Sequence, residues 1–275
     1  MCFPDRSIIV SFFEKFKHWY RDLQFDRSKA KGCPLPNCPY PLPLASDYSK
    51  FSSMKNLAFI FDLDGTLIDS SHDLTLAVNG MLDEIGYPKV THEQVQGFIG
   101  DGTPKLAERA LRHVGALEDQ NDPKFDEYFS ILLKHYEANL ANKTTVYPGV
   151  REFLEKYADH PMAVVTNKPK QFTGPVLEAF DLLHYFQFWA GGDTFEKRKP
   201  DPFPVVKAME ELKSEPDHTF MIGDGDTDIK AGQAAGAITV AAIYGNRSPD
   251  ELRDLDPDYE ITEFSALQSI VEKYL

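Results

Sequence analysis

From residue 57 onward, short apolar runs alternate with longer stretches in which apolar residues return every three or four positions. Residues 57–61, 162–165, 186–190, 220–222 and 238–243 are too short for free-standing helices and too continuously apolar for strands with one wet face, so they predict strands buried on both sides. The stretches between them carry helical periodicity, and strands separated by helices predict a mostly parallel sheet covered by helices. The interval 70–146 differs, because it predicts helices alone. Leu74, Ala77, Val78, Met81, Leu82 and Ile85 share a helical face that ends at Gly86 and Pro88. Leu106, Ala110, Leu111 and Val114 form a second stripe, and Phe125, Phe129, Leu132, Leu133, Tyr136 and Leu140 a third. Such stripes are packing surfaces rather than ligand contacts.

The strand-like runs end in polar residues of complementary kind. The first runs into Asp62-Leu63-Asp64-Gly65-Thr66, the second into Thr166-Asn167, and the fourth into Gly223-Asp224-Gly225-Asp226-Thr227-Asp228. Asp and Gly are ordinary turn residues, but a strand loosening at its end can bring Asp62 and Asp64 towards one point, with Gly65 allowing a sharp turn. Between the second and fourth runs lies Lys199-Pro200-Asp201-Pro202, where the prolines stop a helix from running through the lysine. Open α/β sheets do their chemistry at the carboxyl ends of their strands. Carboxylates gathered there repel one another unless a cation compensates them, and an all-oxygen donor set suits a hard divalent ion such as Mg²⁺.

In this order, DxDGT, TN, KP and GDxxxD, the chain from about Met54 to its end resembles the haloacid dehalogenase superfamily. Ile68-Asp69-Ser70, Asp73-Leu74, Gly100-Asp101-Gly102-Thr103 with Arg109-Ala110-Leu111, and Gly191-Gly192-Asp193-Thr194 are further similar to bacterial phosphoglycolate phosphatases. The resemblance implies an α/β, Rossmann-like core built from 54–69 and 147–275, with 70–146 inserted as an all-helical, mobile cap. It also implies Mg²⁺-dependent hydrolysis of a phosphomonoester, 2-phosphoglycolate first among them, through an aspartyl-phosphate. Asp62 would then be the nucleophile and Asp64 the general acid and base. Asp62, Asp224 and the backbone carbonyl of Asp64 would hold the metal, with Asp228 contacting it through water or holding Lys199. Thr166, Asn167 and Lys199 would stabilise charge on the transferring oxygens. Asp226 is read as a solvated turn acid or a helix N-cap.

Substrate choice must come from elsewhere, because these groups address only the phosphoryl unit. The cap loop Gly100, Asp101 and Gly102 opens a helix whose N–H groups can hold a small anion, and Arg109 is the candidate for a two-pronged contact with a substrate carboxylate. The competing reading of Arg109 is a surface ion pair with Glu108 or another acid. A haloacid dehalogenase would not need Asp64, and residues 71–88 lack the lysine that a phosphonoacetaldehyde hydrolase needs. A sugar-phosphate phosphatase, a phosphomutase, a pyrophosphatase and a non-catalytic phosphate-binding scaffold are the alternatives carried.

Charge and composition narrow the setting. A net charge of −14 disfavours nonspecific nucleic-acid binding, while a local cationic pocket can still hold an anionic metabolite. No stretch approaches the ~20 apolar residues of a membrane span. Residues 1–53 stand apart. They hold all three cysteines and eight basic against five acidic side chains, so the remainder carries −17. Apolar residues at helical spacing (Ile9, Phe12, Phe13, Phe16, Trp19, Tyr20, Leu23) precede a proline-rich stretch, which reads either as an amphipathic helix on a tether or as an artefact of start-site choice before Met54. The cysteine-free body predicts a cytoplasmic protein. A monomer or homodimer acting on a small phosphorylated metabolite is the expectation for partners.

Overall fold

A computed structural model describes residues 57–275, so the expectations for 1–53 lie outside the described residues. At the centre is β1 (Ala58–Phe61), whose four residues are all buried. It pairs in parallel on one side with β4 (Met162–Val165) and on the other with β6 (Thr219–Gly223). The sheet is completed by β5 (Phe188–Ala190) outside β4, and by β7 (Ile238–Ala242) and β8 (Tyr259–Ile261) outside β6. Every pairing in this sheet is parallel, so its strands end at one edge.

The alternation of side chains along each strand divides the core in two. Phe59, Phe61, Val164, Phe220, Ile222 and Val240 enter one face, packed by Phe153 of α5 (Val150–Lys156) and Leu267 of α10 (Leu267–Val271). Phe59 lies edge-on to Phe153 at 5.3 Å and stacks on Phe220 at 5.6 Å. Ala58, Ile60, Ala163, Val165 and Met221 enter the other face, under α7 (Phe203–Leu212) and α8 (Asp226–Ala235). The first face is aromatic and the second small and aliphatic, which lets α7 and α8 approach the sheet closely.

After β1 the chain turns back through β2 (Ile68–Asp69), which pairs antiparallel with β3 (Thr145–Val146). Between these two short strands lie α1 (Ser71–Glu84), α2 (His92–Gln96), α3 (Thr103–His113) and α4 (Phe125–Ala138). The three helical stripes are the buried faces of α1, α3 and α4 and form a core of their own, joined by Phe172 of α6 (Lys170–Ala179). The stretch 70–146 is therefore not wholly helical, since β3 closes it. A two-residue strand carries no periodicity to read. The edge strand β8, at three residues, was missed for the same reason, and the five-residue α2 announces itself only by the reciprocal Thr91–Gln94 cap at its start.

Asp73 fastens this segment to itself. Its fully buried carboxylate accepts the Lys143 N–H at 2.9 Å, the Thr144 N–H at 2.9 Å and the Thr144 hydroxyl at 2.7 Å, tying α1 to the chain that enters β3. Asp73→Ala leaves those donors buried without an acceptor and is expected to lower stability by about 2–4 kcal/mol, read by urea unfolding. A loss below about 0.5 kcal/mol would contradict this.

Candidate active site

The edge where β1, β4 and β6 end gathers most of the residues singled out from sequence. Past Phe61 the strand hydrogen bonding continues one step, with Asp62 N–H donating to Ile222 O at 2.9 Å. The chain then folds into a tight loop in which Leu67 and Ile68 N–H both donate to Leu63 O, at 3.0 and 3.1 Å, while Leu63 itself is buried. Gly65 sits at φ +91°, and a Cβ there would lie 2.0 Å from an Asp224 carboxylate oxygen. Only glycine satisfies both the conformation and the space.

Asp62, Asp224 and Asp228 each place a carboxylate oxygen within 4.8 Å of the others. Asp224 and Asp228 are 3 % and 1 % exposed. Lys199 provides one countercharge: its ammonium donates to Asp62 at 2.9 Å, to Asp228 at 2.5 Å and to Val165 O at 2.5 Å. Burial opposes the charge on Lys199, but Asp228 and Asp62 more than offset it and keep the amine firmly protonated. The Lys199–Pro200 peptide is cis. Asp224 pairs with no cation among the described residues. It is held by neutral donors: Thr66 Oγ1 at 3.1 Å, Asn246 N–H at 2.7 Å and Asn246 Nδ2 at 3.1 Å. Burial first, then the Asp62 and Asp228 charges, push the Asp224 carboxyl well above the usual carboxylate range, and burial with Asp62 does the same to Asp228 despite Lys199. Three clustered oxygen donors with too little positive charge fit a hard divalent cation. Asp228 has both oxygens engaged, one by Lys199 and the other by Gly225 N–H at 2.9 Å, so its principal role here is to fix Lys199 and the start of α8. Asp226, read as a solvated turn acid or the N-cap, is instead the first residue of α8 after an N-cap Gly225, and it pairs with Lys230 at 2.6 Å.

The Asp64 carboxylate does not join this group. It accepts the Ser70 hydroxyl at 2.5 Å and both contacts of the Lys168 ammonium, at 2.9 and 3.0 Å. Lys168 is 3 % exposed and also donates to the Tyr136 hydroxyl of α4. Burial works against its charge, and the adjoining Asp64 carboxylate, then Tyr136, more than restore it. Lys168 was not foreseen, although it directly follows Thr166-Asn167. Strand periodicity ends at Val165 and says nothing of where the next side chains point. Asn246 was legible in principle, because it follows β7 as the other polar residues follow their strands.

A cleft lies above this edge, lined by Asp62, Asp64, Thr166, Asn167 and Lys168 from the sheet side and by Leu74, Ile99, Gly100, Gly102, Thr103 and Leu106 from the helical segment. Its ≈ 390 Å³ includes space open to solvent. Thr166 accepts the Lys168 N–H at 3.2 Å. Asn167 spends an amide N–H on Lys199 O at 3.0 Å, which ties two of the motifs together, and its Oδ1 is buried without a partner among the described residues. Arg109 requires correction. Its guanidinium donates to Phe98 O at 2.9 Å and pairs with Asp101, and it does not line the cleft. Asp101 is likewise turned away, bridging Arg109 and, at 2.7 Å, Arg247 beyond β7. Both residues brace the loop that presents Gly100 and Gly102 to the cleft.

A parallel sheet with acids and a lysine at its carboxyl edge, and helices inserted after the first strand, is the arrangement that the order of the motifs implies. The model of the haloacid dehalogenase-like hydrolases matches residues 59–242, and the chain belongs to that family. A phosphoglycolate phosphatase of Aliivibrio fischeri is 36 % identical over 224 residues, 80 % of this chain and 98 % of its own length. One from Haemophilus influenzae is 38 % identical over 218 residues, 77 % and 96 % respectively. The crystal structure of a predicted phosphoglycolate phosphatase from Haemophilus somnus superposes with a TM-score of 0.74 at 30 % identity, over 80 % of this chain and 99 % of that one. The chain is thus an enzyme, a hydrolase whose relatives over most of its length are phosphatases. None of its described helices is long and apolar enough to cross a membrane.

The buried acids set a pH dependence. A carboxyl whose value is raised on folding favours the fold while protonated and costs stability as pH climbs from its ordinary value towards the raised one. Without divalent cation, Asp224 and Asp228 should therefore make the protein lose melting temperature as pH rises from about 4 towards neutrality and just above. Added MgCl₂ should restore more at about pH 8 than at about pH 5, because protons compete with the cation for the same oxygens. Equal gains at both pH values in thermal melts would refute this.

Proposed function

We propose that this chain is a magnesium-dependent phosphomonoesterase whose preferred substrate is 2-phosphoglycolate, cleaved to glycolate and phosphate through an aspartyl-phosphate. The observation that carries the reading is the division of four carboxylates into two sets. Asp62, Asp224 and Asp228 gather at one point, with Lys199 on Asp62 and Asp228, whereas Asp64 stands apart, facing the helical segment. Nucleophile and acid–base thus address opposite sides of one phosphorus.

In the first step an Asp62 oxygen attacks phosphorus and the bond to the ester oxygen breaks, while Asp64 gives its proton to the departing alkoxide. In the second step water attacks the aspartyl-phosphate, the phosphorus–Asp62 bond breaks, and the water proton passes to Asp64, which restores both carboxyl groups. Lys199 lowers repulsion between Asp62 and the anionic ester, and the Thr166 hydroxyl donates to a phosphoryl oxygen, with Asn167 holding Lys199 in place. Asp62, Asp224 and the Asp64 backbone carbonyl, with Asp228 behind, would hold Mg²⁺, and the ion would supply further neutralisation of the phosphoryl oxygens. Helices α1–α4 serve as the cap, and the loop at Gly100 and Gly102, braced by Asp101 and Arg109, faces the leaving group. The relatives named phosphoglycolate phosphatase support the substrate, and the cysteine-free body fits a cytoplasmic setting.

The test is phosphate release by the full chain with MgCl₂ from 2-phosphoglycolate, sugar phosphates, pyrophosphate and phosphoserine. The expected result is the highest kcat/KM for 2-phosphoglycolate. Asp62→Asn should lower kcat by at least about a thousandfold. A flat profile or a preference for sugar phosphates would overturn the substrate, and activity retained in Asp62→Asn would overturn the mechanism.

A further inference from the structure

The reaction as written leaves one cation of the cleft without a task. Among the described cleft-lining residues Lys168 is the only one with a positive charge. Lys199 is committed to Asp62 and Asp228, and Arg109 and Arg247 to Asp101. We propose that Lys168 determines specificity by pairing with an anionic group on the leaving alcohol, with Thr103 of α3 as its second contact. This inference rests on the phosphomonoesterase reading above.

Reach supports it. A leaving oxygen protonated by Asp64 must come within roughly 3 Å of that carboxylate. The Lys168 ammonium is 2.9 and 3.0 Å from the same two oxygens, so it lies within roughly 6 Å of the leaving oxygen. A carboxylate one methylene removed from that oxygen extends roughly 3 Å further, which brings it to hydrogen-bonding distance of Lys168. An uncharged leaving group of the same length would leave the ammonium with no new partner. Asp64 on one side and Tyr136 on the other hold the amine in place before any ligand arrives, so little side-chain entropy is lost on binding.

The opposite wall carries an independent sign of a ligand. The Thr103 hydroxyl is buried, in a residue only 5 % exposed, and has no hydrogen-bond partner among the described residues. A buried O–H without a partner is costly unless something completes it. Thr103 is the first residue of an eleven-residue helix whose N-cap, Gly102, offers no side chain to the first-turn N–H groups. An anion between Lys168 and Thr103 would meet an ammonium, a hydroxyl and the positive end of a helix.

The alternative is that Lys168 only positions Asp64, and it predicts a different pattern. Ethyl phosphate has the same bridging oxygen and chain length as 2-phosphoglycolate, with a methyl in place of the carboxylate. For the full chain with MgCl₂, Lys168→Met should reduce the ratio of kcat/KM for 2-phosphoglycolate over ethyl phosphate by at least about thirtyfold, mainly through KM. Lys168→Arg should recover part of the ratio, and Thr103→Val should lower it about fivefold. Equal losses on both substrates in Lys168→Met would overturn the proposal. If Lys168→Met does not fold by circular dichroism, Thr103→Val decides, and a ratio within twofold of the parent would overturn it. Thermal shifts with 2-phosphoglycolate and ethyl phosphate separate the two readings. Should the parent turn over neither ester, the proposed function fails, while a stabilisation specific to 2-phosphoglycolate that disappears in Lys168→Met, or in Thr103→Val where Lys168→Met does not fold, still upholds the Lys168 site, and its absence overturns it.

Discussion

The crowding of four carboxylates at one edge of a buried sheet is the constraint on which the rest of this structure depends. Asp62, Asp64, Asp224 and Asp228 sit where water is scarce, and unpaired charge in such a place costs several kcal/mol per group. The fold meets this with two ammonium groups that are themselves almost wholly buried, Lys199 among Asp62 and Asp228 and Lys168 on Asp64. Neither lysine is near its partner in sequence, the separations being 137 residues for Lys199 and Asp62 and 104 for Lys168 and Asp64. The site therefore exists only when the sheet is complete.

Strand order makes that possible. Because β1 lies between β4 and β6 and all three are parallel, their carboxyl ends deliver Asp62, Thr166 and Asp224 side by side although the chain visits them far apart. The aromatic face of the sheet sets β1 rigidly through Phe59 and Phe61. The loop after it is then constrained twice over. Leu63 is buried beneath it, and Gly65 leaves room for Asp224 and Asn246 to come against the backbone.

Most of this was legible wherever a long pattern existed. Buried parallel strands write themselves as continuous apolar runs, and 162–165 matches β4 to the residue, while the stripes of α1, α3 and α4 are the faces that pack. What escaped was either too short to have a period, like β2, β3, β8 and α2, or depended on direction rather than spacing. Arg109 and Lys168 show the second case. Nothing in the position of Arg109 on its helix distinguishes a side chain reaching into a cleft from one folded back eight residues to Asp101. The cation that does face the cleft was hidden in the first residues after a strand, where alternation no longer assigns a face.

Neighbouring residues join the two halves of the site. Asn246 grips Asp224 through its backbone and side-chain N–H groups, and Arg247, the next residue, reaches Asp101 in the loop that carries Gly100 and Gly102. A Cβ at Gly100 would come within 3.1 Å of that same guanidinium, so the loop and Arg247 are in close contact as well as charge-paired. A shift of the loop over the cleft is thus felt one peptide bond from the group that holds Asp224. The paired Asp101 lets a rigid sheet edge and a helical segment share one charged link, and Arg109 keeps that link from the loop side. The arginine expected to contact a substrate carboxylate braces instead the loop that carries Gly100 and Gly102 to the cleft.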